Sequence, residues 1–317
     1  MHDFRYVGNR LFCEGIAVES LARKFGTPLY VYSQRTLTDN FQKLDAAMSP
    51  VNHLVCFSVK SNSNRSALRV LANLGSGFDI VSGGELQRVI AAGGDPRRCV
   101  FAGVGKTEDE IEFALRQGIY SFNAESEPEL QRINRIAARL KKIAPIAVRV
   151  NPGVYAYTHA KITTGTYENK FGIQFEQVEG VYARAGKLKN LRLRGLQMHI
   201  GSQITETTPF EQAVRKVLPL LKRLQEKYPL EFFSVGGGLG IVYKPALASG
   251  AAAWWKTPAA KNILTPQKYA GRLVPLLEPW SAPFPGMFLC YPQQRQMAPA
   301  LRAFIDAVRK PRPAFTP

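Results

Sequence analysis

A chain of 317 residues with 45% hydrophobic and 10% aromatic content can bury the core of one large α/β domain or two smaller ones, and no run approaches the ~18 apolar residues of a membrane helix. The formal charge of +18 allows attraction to nucleic acid or anionic substrates, but the Lys and Arg residues are spread, as in RLKK (139–142) and KLKNLRLR (187–194), so nucleic acid is not the expected partner. Cys13, Cys56, Cys99 and Cys290 form no CxxC pair and MHDFRYVGNRLFCEG lacks the order of a signal peptide, which together predict a reducing, cytoplasmic setting.

In chain order, Val18–Phe25 reads as a helix and Pro28–Tyr32 as a short strand. Strand-like runs then follow at Leu54–Val59, Phe78–Val81, Cys99–Ala102, Tyr120–Asn123, Ile146–Val150, Leu193–His199 and Phe232–Val235. Amphipathic segments alternate with them: Arg65–Leu74, Gly84–Ala92, Glu108–Gln117, Glu127–Lys142, Glu176–Lys187 and Phe210–Lys227. Leu130, Ile133, Ile136, Ala137 and Leu140 show the three- and four-residue spacing of a helix, and Thr107 and Ser126 stand as caps. Alternation with short connections predicts a parallel sheet, either open and doubly wound or closed as a (β/α)₈ barrel with one strand unaccounted for. Polar and glycine-rich residues follow strand after strand (Lys60-Ser61-Asn62, Ser82-Gly83-Gly84, Gly103-Val104-Gly105-Lys106, Asn151-Pro152, Gly201-Ser202, Gly236-Gly237-Gly238), which favours the barrel, where such ends gather on one face. Residues 246–266 read as a long loop, Gln267–Leu277 as a helix, and the stretch from Trp280 onward as a Pro-rich tail.

Three strand ends carry chemistry. Lys60 closes the apolar run LVCFSV; it is either a solvated strand cap or an amine able to form an imine with a carbonyl. His199 is either a hydrogen-bonded core residue or a ring that lies flat against a planar cofactor. The run Gly236-Gly237-Gly238 is either an ordinary turn or a backbone cradle for phosphate, and its spacing is neither that of a Walker loop nor of a dinucleotide fingerprint. One cofactor uses all three, pyridoxal 5′-phosphate: its aldehyde takes the lysine, its ring the histidine and its phosphate the glycines.

FGTPLYVY (25–32), CFSVKSNSN (56–64), GSGFDIVSGGELQR (75–88), FNAESEPEL (122–130), RVNP (149–152), THAKITTGTYENKFGI (158–173), GLQMHIGSQI (195–204) and SVGGGLGIVY (234–243) occur in an order that resembles the diaminopimelate decarboxylases, pyridoxal-phosphate enzymes of the alanine-racemase-like barrel class. The resemblance covers residues 1 to about 278. It implies an α/β fold with a (β/α)₈-type cofactor-binding barrel, decarboxylation of meso-diaminopimelate to L-lysine, and a homodimer. It assigns Lys60 as the cofactor lysine and His199 as the stacking residue, both catalytic, and places Asp79, Ser202, Gly236, Gly237 and Gly238 about the cofactor. No metal is implied.

The resemblance breaks at Leu277-Glu278-Pro279-Trp280. The family's eighth strand ends in Glu-Pro-Gly-Arg, whose glutamate pairs with the pyridine nitrogen. Tyr269, Leu273, Leu276 and Leu277 have helical spacing, so Glu278 is expected to end the helix before a missing eighth strand, with a cofactor-binding stand-in for the family's glutamate as the alternative. Residues 1–278 are thus expected to form an incomplete barrel without the family's C-terminal β-domain, and 279–317 a Pro-rich tail with one helix. PFPGMFLCYPQQRQMAPALRAFIDAVR (283–309) resembles the C-terminal end of the effector domain of LysR-type regulators, without their DNA-binding helix-turn-helix. The expected consequence is impaired turnover, the alternatives being a non-catalytic decarboxylase-like binding protein or another amino-acid decarboxylase of the barrel class.

Overall fold

The computed structural model describes residues 2–154, 171–241, 257, 263–281 and 286–291. It opens with a small antiparallel sheet of β1 (Phe4–Val7), β2 (Arg10–Cys13) and β3 (Ile16–Ala17), followed by α1 (Val18–Phe25) and α2 (Gln34–Met48). Strand–helix alternation then runs through β4 (His53–Ser58), α3 (Arg65–Asn73), β5 (Gly77–Ile80), α4 (Gly83–Ala91), β6 (Cys99–Phe101), α5 (Glu108–Gln117), β7 (Ser121–Ala124), α6 (Glu127–Arg139) and β8 (Ala144–Asn151). A short β9 (Ile173–Gln174) pairs beside β8, and α7 (Val178–Ala185), β10 (Leu191–Met198), α8 (Thr208–Gln225), β11 (Phe232–Gly236), α9 (Pro266–Ser281) and β12 (Gly286–Tyr291) complete the order.

Eight parallel strands, β4–β8 and β10–β12, close into a barrel: β8 pairs with β10, and β12 lies between β11 and β4. The barrel expectation is met, while two details differ. The eighth strand expected to be missing is Gly286–Tyr291, drawn from the stretch that was assigned to the tail. Strand pairing is satisfied by backbone groups, so a six-residue β-prone run, GMFLCY, can complete the ladder without the family's own sequence. The tail helix and most of the 246–266 loop lie outside the described residues. Pro28–Tyr32, expected as a strand, pairs with nothing; Tyr30 and Tyr32 instead pack on Leu37 of α2 and Ala67 of α3, which buries their rings without a ladder.

Alternation along the strands separates two apolar layers. Val55, Phe57, Phe78, Ile80, Phe101, Phe122, Val148, Leu196 and Phe233 face the helices and join the main core with Leu68, Leu86, Ile111, Ile133 and Val217. The opposite faces supply a smaller plug of Cys56, Val100, Ala147 and Phe232 inside the barrel, backed by Leu54 and Tyr120. Gly195 stands opposite Phe232, and a methyl there would lie 2.5 Å from its ring, so the small residue makes room for the large one. Two residues beyond the plug positions the inner face turns polar: Ser58 after Cys56, Arg149 after Ala147, Ser234 after Phe232.

Three strand-to-helix turns at this end use one device. Ser82, Thr107 and Ser126 each accept the N–H of the glutamate three residues on, Glu85, Glu110 and Glu129. Each glutamate returns a carboxylate to a turn N–H: Glu85 to Val81 (2.8 Å), Glu110 to Thr107 (3.0 Å), Glu129 to Glu125 (2.7 Å). The pattern anchors the loops that frame the barrel mouth. Because β12 alone joins β11 to β4, Leu289→Pro should remove a ladder donor there and lower stability by about 1–3 kcal/mol, read as a lower urea midpoint.

Candidate active site

Lys60 lies on a short turn, Val59–Ser61, directly after β4. The polar residues around it build that turn: Ser61 Oγ donates to the Ser58 carbonyl (2.6 Å), Asn64 N–H donates to Asn62 Oδ1 (3.0 Å), and Asn64 in turn caps α3. Lys60 itself is exposed and takes no hydrogen bond among the described residues, which leaves its amine available at the mouth. Asp79 of β5 is 6% exposed and accepts from Ser58 Oγ at 2.9 Å. Burial raises its pKa above the usual carboxylate range, opposed by the charge of Lys60, the Ser58 hydrogen bond and the charge of Arg149.

His199 follows β10. Burial pushes its pKa down to about 3, helped by Arg149 and Lys60, so the ring is neutral at physiological pH. Gly237 N–H donates to its Nδ1 (3.3 Å), which leaves the proton of the neutral ring on Nε2. The glycine run is sewn to the loop after His199: Ile204 N–H donates to the Gly238 carbonyl (2.8 Å) and Gly240 N–H to the Ile204 carbonyl (2.7 Å). Gly236 has φ +75° and Gly238 φ +111°; a side chain at the first would collide with the Met198 carbonyl and at the second with that of Gly201. Gly238 and Leu239 are buried residues whose N–H groups donate no hydrogen bond among the described residues, which suits them to an anion's oxygens. Ser202 is exposed on the same loop.

The structure therefore brings Lys60 within electrostatic reach of both Asp79 and His199 and ties His199 to the glycine run through Gly237. Glu278 is not among them. It is exposed near the C-terminal end of α9, a helix on the outer ring against α2 and α8, with Tyr269 edge-on to Phe210 at 4.9 Å. The chain next enters β12 at Gly286, level with Phe232 at the start of β11, so Glu278 stands toward the foot of the barrel and away from the mouth.

Four charged residues at the mouth were not read from the sequence. Arg149 Nη1 pairs with Glu125 Oε1 at 2.7 Å, and Lys106 with Glu129 Oε1 at 2.6 Å, both pairs largely buried. Their signal is present in RVNP, FNAESEPEL and the strand end GVGK, but charge at the end of a strand or the start of a helix reads by default as solvated.

Residues 34–264 match the family model described as pyridoxal-dependent decarboxylase, pyridoxal binding domain. The chain is 49% identical over 245 residues to the diaminopimelate decarboxylase of Pseudomonas aeruginosa, covering 77% of this chain and 59% of that one. It is 51% identical over 235 residues to that of Neisseria meningitidis serogroup B, covering 74% and 57%. The crystal structure of diaminopimelate decarboxylase from M. jannaschii in co-complex with L-lysine superposes with a TM-score of 0.80 at 32% identity, covering 91% of this chain and 66% of that one. The chain thus spans under three fifths of the length of the two curated relatives. The regulator-like tail falls beyond the family match, which stops at residue 264.

Because His199 is held neutral below its ordinary 6.5, the unfolded chain binds the extra proton, and the ring's contribution to stability is lost as pH falls from about 6.5 toward 3. Arg149→Gln removes a cationic neighbour and should raise the His199 midpoint above about 3, followed by the imidazole C–H resonances across a pH series. Gly238→Ala should abolish binding of pyridoxal 5′-phosphate while disturbing pyridoxal, which lacks the phosphate, far less; titrations with both compounds test this.

Proposed function

The chain belongs to the pyridoxal-dependent decarboxylases, and on that premise we propose that it acts as a diaminopimelate decarboxylase-type carboxy-lyase, releasing CO₂ from the D-centre of meso-diaminopimelate to give L-lysine. The observation that carries the reading is the union of the His199 ring with the glycine run, through Gly237 N–H to Nδ1, at the mouth that Lys60 enters. The residues present fit pyridoxal 5′-phosphate: orphaned buried N–H groups suit its phosphate, a neutral ring suits its face and an exposed amine suits its carbonyl. When bound, that cofactor supplies an electron sink for the C–CO₂ bond.

Each residue then has a task. The Lys60 amine would be the group that holds the cofactor carbonyl at the mouth. His199, uncharged, covers the ring without repelling a cationic pyridine nitrogen. Gly236–Gly238 and Ser202 fix the phosphate end, and Asp79 offsets cationic charge beneath the site. The small-molecule substrate carries two ammonium groups and two carboxylates, and the relatives' names, together with the L-lysine of the M. jannaschii co-complex, support that class. A homodimer in the cytoplasm accompanies the reading. Among the described residues no helix is long and apolar enough to cross a membrane.

We further propose that turnover by this chain is impaired. The strand that closes the barrel is Gly286–Tyr291, the sequence that follows it, Pro292-Gln293-Gln294, carries no carboxylate like the one the family places for the ring nitrogen, and Glu278 stands elsewhere. The same observation favours a second reading, cofactor binding without turnover. Purified protein mixed with pyridoxal 5′-phosphate and meso-diaminopimelate should show the absorbance of captured cofactor and little CO₂ release. Lys60→Ala should lose that absorbance; its persistence would refute the role of Lys60, and brisk lysine formation by the unaltered chain would refute the impairment.

A further inference from the structure

Beneath the mouth runs a chain of buried charges that none of the roles above uses. The Lys106 ammonium, 1% exposed, donates to the carbonyls of Gly103 (2.6 Å) and Asn123 (3.0 Å) and to Glu129 Oε1 (2.6 Å), which occupies all three of its protons. Glu129 Oε2 accepts the backbone N–H of Glu125 at 2.7 Å. Glu125 Oε1 then accepts from Arg149 Nη1 at 2.7 Å, with side chains 3% and 13% exposed. The guanidinium rests 5.3 Å from the centre of the Phe171 ring. Lys106 is thus a pin: it fixes Glu129, which fixes the main chain at Glu125, whose carboxylate fixes Arg149.

Stability alone does not account for the last pair. A buried ion pair is often no more stabilising than apolar side chains of like volume, and this one is incompletely satisfied, since Glu125 Oε2 is buried without a partner among the described residues. What the pair does is electrostatic. Arg149 acts on both His199 and Asp79, so its charge reaches the mouth, and Glu125 is the anion in direct contact with it. The other charged or titratable groups facing this spot are Asp79 from β5, Glu85 from α4, Lys60 after β4 and His199 after β10.

We propose that Glu125 is a positioning residue of the site: held in place by the Lys106–Glu129 pair, it fixes the Arg149 guanidinium and offsets its charge where it faces Asp79 and His199. The proposal rests on reading Lys60 as the cofactor lysine. Without Glu125 the guanidinium would stand unopposed beside Asp79 and His199; without Arg149 the carboxylate would.

The test uses pyridoxal 5′-phosphate as probe and no substrate. The absorbance of cofactor captured at Lys60 is followed against pH in the unaltered protein, Glu125→Gln, Arg149→Gln, the double variant and Glu127→Gln, which alters an exposed pair with Arg184. Glu125→Gln should move the midpoint of capture to lower pH by about half a unit or more, and Arg149→Gln to higher pH. The double variant should return it to within about 0.2 units of the unaltered protein, and Glu127→Gln should leave it in place. A merely structural pair would weaken capture in both single variants without opposite shifts, and that result overturns the proposal. If the unaltered protein captures no cofactor, the reading of Lys60 has failed, and the pair is judged at His199 by its imidazole C–H resonances across a pH series. The midpoint should rise in Arg149→Gln and return toward that of the unaltered protein in the double variant; an equal rise in both overturns the proposal.

Discussion

The pairing of Gly286–Tyr291 with His53–Ser58 on one side and Phe232–Gly236 on the other turns an open sheet into a cylinder. Until that seam closes, the ends of β4 and β11 are ends of opposite edge strands. Lys60 leaves the first and the glycine run leaves the second, so the two halves of a cofactor site meet only across the last strand. Closure also dictates what fills the interior. An inner face too narrow for solvent must be plugged, and Cys56, Val100, Ala147 and Phe232 do so at one level, which raises the polar residues of the next level to the mouth.

Desolvation organises that mouth. His199 is kept neutral by its surroundings and by two cations, Arg149 and Lys60, while burial presses Asp79 toward its protonated form against the same cations. The two effects are complementary: a cation-rich site that refuses a further positive charge on imidazole is suited to a phosphate and to carboxylates. The glycine run adds orphaned N–H groups of the same polarity, and its conformation is affordable only because no Cβ is present at Gly236 and Gly238.

Much of this was legible in residue order. Seven barrel strands and the helices between them were found within a few residues, because apolar runs bounded by polar or glycine-rich turns are a local signal; Glu108–Gln117 is recovered to the residue. Lys60, His199 and Gly236–Gly238 stand out as candidates in the residue order because each lies at a strand end, and the structure ties His199 to the glycine run with Lys60 in electrostatic reach. What failed to show has a common cause. Helix α2 carries Leu37, Phe41, Leu44 and Met48 at helical spacing, yet the sparse apolar content between them hid it. Strands β1–β3 are two to four residues long and half their residues are exposed, too short a run for an alternation to read. The Glu125–Arg149 and Lys106–Glu129 pairs join residues 24 and 23 positions apart, a contact that the barrel creates and no window of sequence contains.

The eighth strand shows how separable two roles of one element are. Completing a parallel ladder asks only for main-chain groups and a tolerable register, and GMFLCY satisfies that with residues unlike the family's. Chemistry at the end of the same strand asks for a particular side chain at a particular atom, and backbone pairing cannot supply it. On the proposed reading cofactor capture falls to the ends of β4, β10 and β11, whereas β12 contributes the pairing that closes the cylinder. Grip on a cofactor and rate of reaction are separable on that reading, because the first would be distributed over several strand ends and the second would rest on a single side chain.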